Sequence, residues 1–315
     1  MPTLPVTPKE PAKQDKFHVL VTGFGPFNQY EINPSWLAVK PLHNTIISFD
    51  PTSAPVGSDQ VVVEDQIPSR SIHISALEIP VSYEAILATV PGLHAHPPLL
   101  AASTDPDPPP PPASGYDFIF HIGVAGRGPL RMERQGHKLG YHMKDADGKL
   151  ASVVRSSPKD FSRRAEDTLV AENQERERLG MDIVESIGDT AVRPTRGFGA
   201  AYENFPEEIS TEIDVTRLVQ DLKLSGIEQI YTSMDAGHYL CDFIYYCSLA
   251  EAKRNTNPYD ERRRNTQVLF LHIPPVNQPL STEEVTEAIQ RIIVWVCKEM
   301  QIQDEEDASA DLPQS

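Results

Sequence analysis

Three short and almost continuous apolar runs constrain the fold of this chain more than any other feature. They are Phe17–Phe24 (FHVLVTGF), Tyr116–Ile122 (YDFIFHI) and Gln267–Ile273 (QVLFLHI), and glycine or proline follows each one. Runs of this length closed by a turn residue read as buried strands. Ile72–Ile79 alternates well enough for a further strand, Ile227–Met234 reads as another, and Leu130–Arg134 has the length of a short one. Helical signals lie between them. Asn33-Pro34 opens a short helix with Asn as N-cap and Pro at the first position, and Pro41 ends or kinks it. Ser82–Val90 and Gly237–Lys253 read as helices. Asp214 caps an amphipathic helix with Val215, Leu218, Val219 and Leu222 on one side, which Gly226 ends. Ser281 and Glu284 make a capping box for a last helix with Val285, Ile289, Ile292 and Val296 toward the core. Strands alternating with helices predict an α/β fold, a three-layer α/β/α sandwich around a mixed, mostly parallel sheet.

The rest of the chain has weaker patterning. Residues 1–16 are polar and proline-bearing and are expected to form a disordered arm, and the acidic tail, 301–315, is expected to be disordered as well. The centre of 43–70 is loop-like. Residues 96–114 hold Pro108–Pro112 in a row and read as a surface insertion in polyproline form. Ala165–Leu179 reads as a surface helix within a charged, weakly periodic stretch. A net charge of -17 over 315 residues argues against nucleic acid or an anionic membrane as partner. No apolar run is long enough to span a bilayer, and Met1–Lys16 lacks the apolar core of a signal peptide. The cysteines are Cys241, Cys247 and Cys297, which form neither a disulfide framework nor a zinc-type spacing; the expected setting is cytoplasmic and reducing, with no metal and no cofactor.

The segment Tyr231–Cys241 (YTSMDAGHYLC) is where chemistry concentrates. A strand, a small-residue turn and a helix beginning just before the cysteine can set a thiol at a helix N-terminus, where the dipole favours a thiolate. Cys241 is therefore a candidate nucleophile, and the competing reading is a small apolar residue inside a helix, as for Cys247 and Cys297. His272 closes the last strand before Ile273-Pro274-Pro275 and is a candidate general base, against a histidine merely packed on the sheet rim. Glu133 can orient that histidine as third member of a triad, or else form a surface salt bridge with Arg131 or Arg134. Phe24 and Phe27 flank a glycine-proline turn and either wall a small apolar pocket or pack in the core. The turn is a poor dinucleotide loop, because Pro26 intrudes, and Gly123–Gly128 lacks the Lys-Ser/Thr of a Walker loop. His94 and His96 have no accompanying ligand pattern and read as part of a solvated loop.

Taken together, Thr22–Phe27, Asn33–Lys40, Ile122–Gly126, Glu133-Arg134, Ala236–Cys241 and Phe270–Pro274 resemble the pyroglutamyl peptidase I family of cytosolic cysteine omega-peptidases. The resemblance runs from about 17 to 300, as a single domain, with apparent insertions near 43–70, 97–114, 151–200 and 254–265. It implies removal of an N-terminal pyroglutamate from peptides by a Cys241/His272/Glu133 triad. It further implies a pocket lined by Phe24 and Phe27, with Asn33 near the substrate ring and Leu240 at an apolar pocket position. Three departures stand out. Val124 replaces the family's usual glutamine. His142 or Met143 stands where the family carries an arginine near the oxyanion, which makes His142 the candidate for oxyanion support. Asn28-Gln29 replaces the usual Gly-Gly. Two alternatives therefore remain beside the peptidase: a related cysteine hydrolase of another small N-acyl or lactam group, and a non-catalytic binding protein on the same fold. A homo-oligomer is compatible with the sequence and not specified by it.

Overall fold

The computed structural model describes residues 16–49, 70–100, 110–154, 161–184, 194–255 and 264–310. Its centre is a seven-stranded sheet in the order β2-β3-β1-β4-β9-β5-β8. The strands are β1 (Lys16–Phe24), β2 (Thr45–Phe49), β3 (Arg70–Ile79), β4 (Phe118–Val124), β5 (Leu130–Glu133), β8 (Ile230–Ser233) and β9 (Gln267–Ile273). β3, β1, β4 and β9 run parallel to one another, and β5 is parallel to β8. The β2–β3 and β5–β9 pairs are antiparallel. The expected three-layer, mostly parallel sandwich is therefore the observed one.

The apolar runs are continuous because both faces of the sheet are covered. Val19, Val21, Phe118, Phe120, Ile122, Leu130, Met132, Leu269 and Leu271 pack into one core. Helices α1 (Pro34–Val39), α4 (Val215–Leu224) and α6 (Thr282–Ala310) cover it. Val268 and Phe270 point the other way, into a core shared with α2 (Tyr83–Leu93) and α5 (Leu240–Arg254). Alternate residues of β9 thus serve opposite layers, which leaves His272 on the α5 side. Helix α5 is buried from Leu240 through Glu251, in keeping with an apolar surface all round.

The capping signals hold. Asn33 Oδ1 accepts from Ser35 N at 3.1 Å, and Asp214 Oδ1 accepts from Arg217 N at 3.0 Å. Ser281 and Glu284 exchange the two hydrogen bonds of a capping box, at 2.7 and 3.2 Å.

Several expectations need correction. The tail is not disordered through its length, since α6 continues to Ala310. Asp304 accepts from Arg70 at 3.1 Å and also from Arg264, so the helix is tied to β3 and to the entry of β9. Strand β2 emerges from the loop-like 43–70 region and pairs on the sheet edge. A separate two-stranded ribbon, β6 (Gln135–His137) with β7 (Glu208–Ser210), was not foreseen. Helix α3 (Phe161–Arg178) exists where a surface helix was expected, yet Glu172 and Glu175 on it are buried. His94 is buried against Ser248, with Nε2 2.8 Å from Oγ, and is not part of a solvated loop. Residues 1–15, the centre of 43–70, Pro108-Pro109, most of 254–265 and 311–315 lie outside the described residues.

Gly23 shows how closely the first crossover is packed. A Cβ there would stand 2.8 Å from Trp36 Cα and 2.9 Å from the Ser35 carbonyl carbon, both backbone atoms that cannot swing aside. Gly23→Ala is expected to lower the free energy of unfolding by about 1–3 kcal/mol. Urea denaturation checks this, and an unchanged midpoint at constant slope would show that α1 can retreat.

Candidate active site

Cys241 is the second residue of α5, so it stands at a helix N-terminus as the sequence suggests. The N-cap Tyr239 is extended and makes no side-chain cap, while its carbonyl takes the Phe243 N–H at 2.9 Å. The first-turn N–H groups have no intrahelical acceptor, which suits an anion formed beside them. Two features fix the approach of the preceding turn. Gly237 has φ of +86°, in the left-handed region, and its N–H donates to Asp235 Oδ1 at 2.9 Å. On the sheet side the thiol rests over Gly123, where an added Cβ would be 2.7 Å from Cys241 Sγ and 2.7 Å from Phe270 Cζ.

Gly123 is the β4 residue paired with His272 on β9. His272 Nδ1 and Glu133 Oε1 are 2.8 Å apart, and the two side chains are 4% and 0% exposed. The alternative of a surface carboxylate at Glu133 is thereby excluded. The pairing follows from register: Arg131 lies opposite His272 and Glu133 opposite Phe270, so Glu133 reaches His272 across the diagonal. Tyr245 of α5 donates its hydroxyl to the Glu133 carbonyl at 3.0 Å, tying the cysteine's helix to the carboxylate's strand.

Cys241 opens into a cleft of about 530 Å³, and Phe24, Phe27, Asn33, Val124 and Leu240 line the same cleft. Asn33 also caps α1 and donates Nδ2 to the Gly25 carbonyl at 3.1 Å, so its amide stiffens the wall. His142 and Met143 are not among the residues that line the cleft, and Met143 is buried in the adjoining core. The sequence reading missed Tyr239, whose ring lies 5.6 Å from that of Phe27, and it missed Arg178-Leu179-Gly180, where α3 ends against the cleft. Nothing local in the sequence marks α3 as a wall, because the contact joins two distant segments.

The thiol is not biased toward thiolate at rest. Burial pushes the Cys241 thiol up from its ordinary value, Glu175, Glu133 and Asp242 push it further, and Arg131 opposes them. Desolvation and three carboxyl groups thus act against the helix dipole at this position.

Asp242, the next residue, anchors the helix start. Its carboxylate accepts from His137 N at 3.1 Å and from the Tyr141 hydroxyl at 2.8 Å, and His137 Nδ1 lies 3.1 Å from Oδ1. His137, His238 and Asp242 offer donor atoms within 4.8 Å of one another, the one such group found among the described residues. Both Asp242 oxygens are already engaged by His137 and Tyr141, which makes the group a hydrogen-bonded clamp.

Comparison with known proteins agrees with this geometry. The family model described as Pyroglutamyl peptidase matches residues 17–69. Pyroglutamyl-peptidase 1 of Mus musculus and that of Homo sapiens are each 25% identical to the chain over 284 residues, covering 89% of it and 90% of their own length. The chain is thus similar to pyroglutamyl peptidases over most of its length. Its fold is also that of the pyroglutamyl peptidase I from Bacillus amyloliquefaciens, at TM-score 0.50 and 20% identity over 89% of this chain and 94% of that one. A mutant pyrrolidone carboxyl peptidase from Pyrococcus furiosus gives TM-score 0.50 and 19% identity over 90% and 99%.

Two outcomes follow. Gly123→Ala is expected to displace the thiol and abolish its rapid reaction with iodoacetamide while the circular dichroism spectrum is retained; rapid alkylation at the wild-type rate would refute the close contact. The second concerns pH. Burial lowers the pKa of His137, but Asp242, through hydrogen bond and charge, with Asp235 and Glu208, raises it from 6.5 to about 9. The folded value exceeds the unfolded one, so this contribution to stability is complete below about pH 6.5 and is lost as pH rises through 9. Thermal melts of the wild type should fall across that window more steeply than those of His137→Gln, and parallel curves would remove the clamp.

Proposed function

We propose that this chain is a cysteine-type pyroglutamyl peptidase of the cytoplasm, acting on small peptides that carry an N-terminal pyroglutamate. The observation that carries the reading is the buried His272–Glu133 pair, with Cys241 resting on Gly123, the β4 partner of His272, and lining a largely apolar cleft. A binding protein has no use for a desolvated carboxylate–imidazole pair beside a thiol, and it would bear the burial of that carboxylate for nothing.

In this reading Glu133 holds His272 through Nδ1 and leaves Nε2 for proton transfer. The neutral Cys241 thiol gives its proton to His272 as sulfur attacks the pyroglutamyl carbonyl carbon. The C=O electron pair moves to oxygen, and that charge is met by the first-turn N–H groups of α5. Collapse expels the amine, which takes the proton from His272, and a thioester remains. Water, deprotonated by His272, then cleaves the thioester to free pyroglutamate and restores the thiol. Phe24, Phe27, Leu240 and Val124 offer an apolar seat to a flat, uncharged lactam ring. Three free cysteines fit a reducing compartment.

The test is release of the fluorophore from a pyroglutamyl amide under reducing conditions. Cys241→Ala is expected to lower kcat on the order of 10⁶-fold. A folded wild type without turnover would sink the substrate assignment. Val124→Gln adds a lactam hydrogen-bond partner and is expected to lower KM about 2- to 10-fold. An unchanged KM would favour a hydrolase of a different small acyl group.

A further inference from the structure

Around Cys241 the carboxyl groups of Glu175, Glu133 and Asp242 are opposed by the Arg131 guanidinium, while Arg178 is tied to Glu175 and Asp235. The titratable and charged groups around the thiol are Tyr239 and Asp242 beside it, Glu133 and Arg131 on β5, His272 on β9 and Glu175 on α3, and Glu177 and Arg178 of α3 and Arg127 after β4 line the same cleft. Glu175 is 4% exposed and packs so tightly on the turn before the nucleophile that a Cβ on Gly237 would fall 2.2 Å from its Oε2.

Arg131 sits among these groups in an unusual state. It lies directly opposite His272 in the β5–β9 register, so the two side chains share a face. Its Nε is 3.9 Å from Glu133 Oε1, the same oxygen that meets His272 Nδ1 at 2.8 Å. The side chain as a whole is 30% exposed, yet Nη2 is buried and has no hydrogen-bond partner. A buried guanidinium N–H without an acceptor is unfavourable, because its hydration is lost and not replaced. Such a group is tolerable where a negative charge appears during function.

We propose that Arg131 is a positioning residue for the thiol chemistry: it steadies the Glu133 carboxylate against His272 and offsets the field of Glu133 and Glu175 so that Cys241 can ionise. This inference rests on the reading of Cys241 as nucleophile. It concerns ionisation of the sulfur and is independent of which acyl group the cleft accepts. The direction of the electrostatics agrees: Arg131 opposes the carboxyl groups at Cys241, and at Glu175 it acts after the adjacent Arg178.

The experiment reads the pH midpoint of Cys241 alkylation by iodoacetamide, resolved by peptide mass spectrometry with Cys247 and Cys297 as internal references. It compares the wild type, Arg131→Gln, Arg131→Lys and Glu175→Gln. Removing the cation disfavours the thiolate, so Arg131→Gln should move the midpoint up by about one unit or more, while Arg131→Lys stays nearer the wild type. Removing the opposing carboxyl should move it down in Glu175→Gln. A midpoint unchanged in folded Arg131→Gln overturns the proposal. If that variant does not fold, an unchanged midpoint in Glu175→Gln overturns it instead. A wild-type Cys241 that labels no faster than Cys247 defeats the nucleophile reading and this inference with it. Rapid labelling without pyroglutamyl turnover defeats only the substrate assignment and leaves Arg131 in its role.

Discussion

Burying a carboxylate beside an imidazole is the constraint around which this structure is organised. Glu133 has no exposure, and one of its oxygens, Oε2, has no hydrogen-bond partner. A lone buried carboxylate of that kind would be expelled or neutralised. It is held because β5 is wedged between β9 and β8, antiparallel to the first and parallel to the second. That placement makes the Glu133–His272 contact a consequence of register. Leu130 and Met132 on the opposite face of β5 lock the strand into the core under α4 and α6. A slip of one residue would turn Glu133 toward that apolar core and expose Met132 to the cysteine's layer. Correct pairing of the sheet and assembly of the site are therefore the same event.

The nucleophile is brought to this pair by a helix fixed at both faces. Gly123 lets the thiol rest directly on β4, and the clamp of His137 and Tyr141 on Asp242 holds the first turn from the other side. Tyr245 joins the helix to Glu133 one turn later. These contacts explain the absence of a side-chain N-cap on α5. The residue after the nucleophile is already spent as an anchor, and the open N–H groups remain available to the cleft. Fixing a helix start by buried hydrogen bonds gives the sulfur little positional freedom, which is what near-attack geometry requires.

Much of this was legible in the sequence, and the failures have physical causes. β1, β4 and β9 could be read because strands buried on both faces leave continuous apolar runs. The caps at Asn33, Asp214 and Ser281 could be read because a cap is a local hydrogen bond. The β6–β7 ribbon could not, since Gln135–His137 and Glu208–Ser210 are three polar-rich residues each, held in place by α5. The last turns of α6 look disordered by composition, and they are held by Arg70 and Arg264, which are distant in sequence. Phe24, Phe27, Asn33, Val124 and Leu240 could be gathered only through the family pattern, because no periodicity links five positions on four segments.

The raised thiol clarifies what kind of cysteine site this is. A cysteine held as a resting thiolate needs a permanently charged partner, and such a pair would sit poorly in a cleft walled by Phe24, Phe27 and Leu240. Here burial and the neighbouring carboxyl groups push the Cys241 thiol up from its ordinary value. In the proposed mechanism sulfur therefore works as a serine hydroxyl would, with proton transfer to the Glu133-bound imidazole coupled to attack. The α3 wall reinforces this regime. Arg178 is tied to Glu175 and Asp235, and with Leu179 and Gly180 it closes one side of the cleft. The same helix delivers Glu175 to the turn before Cys241. A segment that shapes the cleft thus also carries a carboxyl group that acts on Cys241.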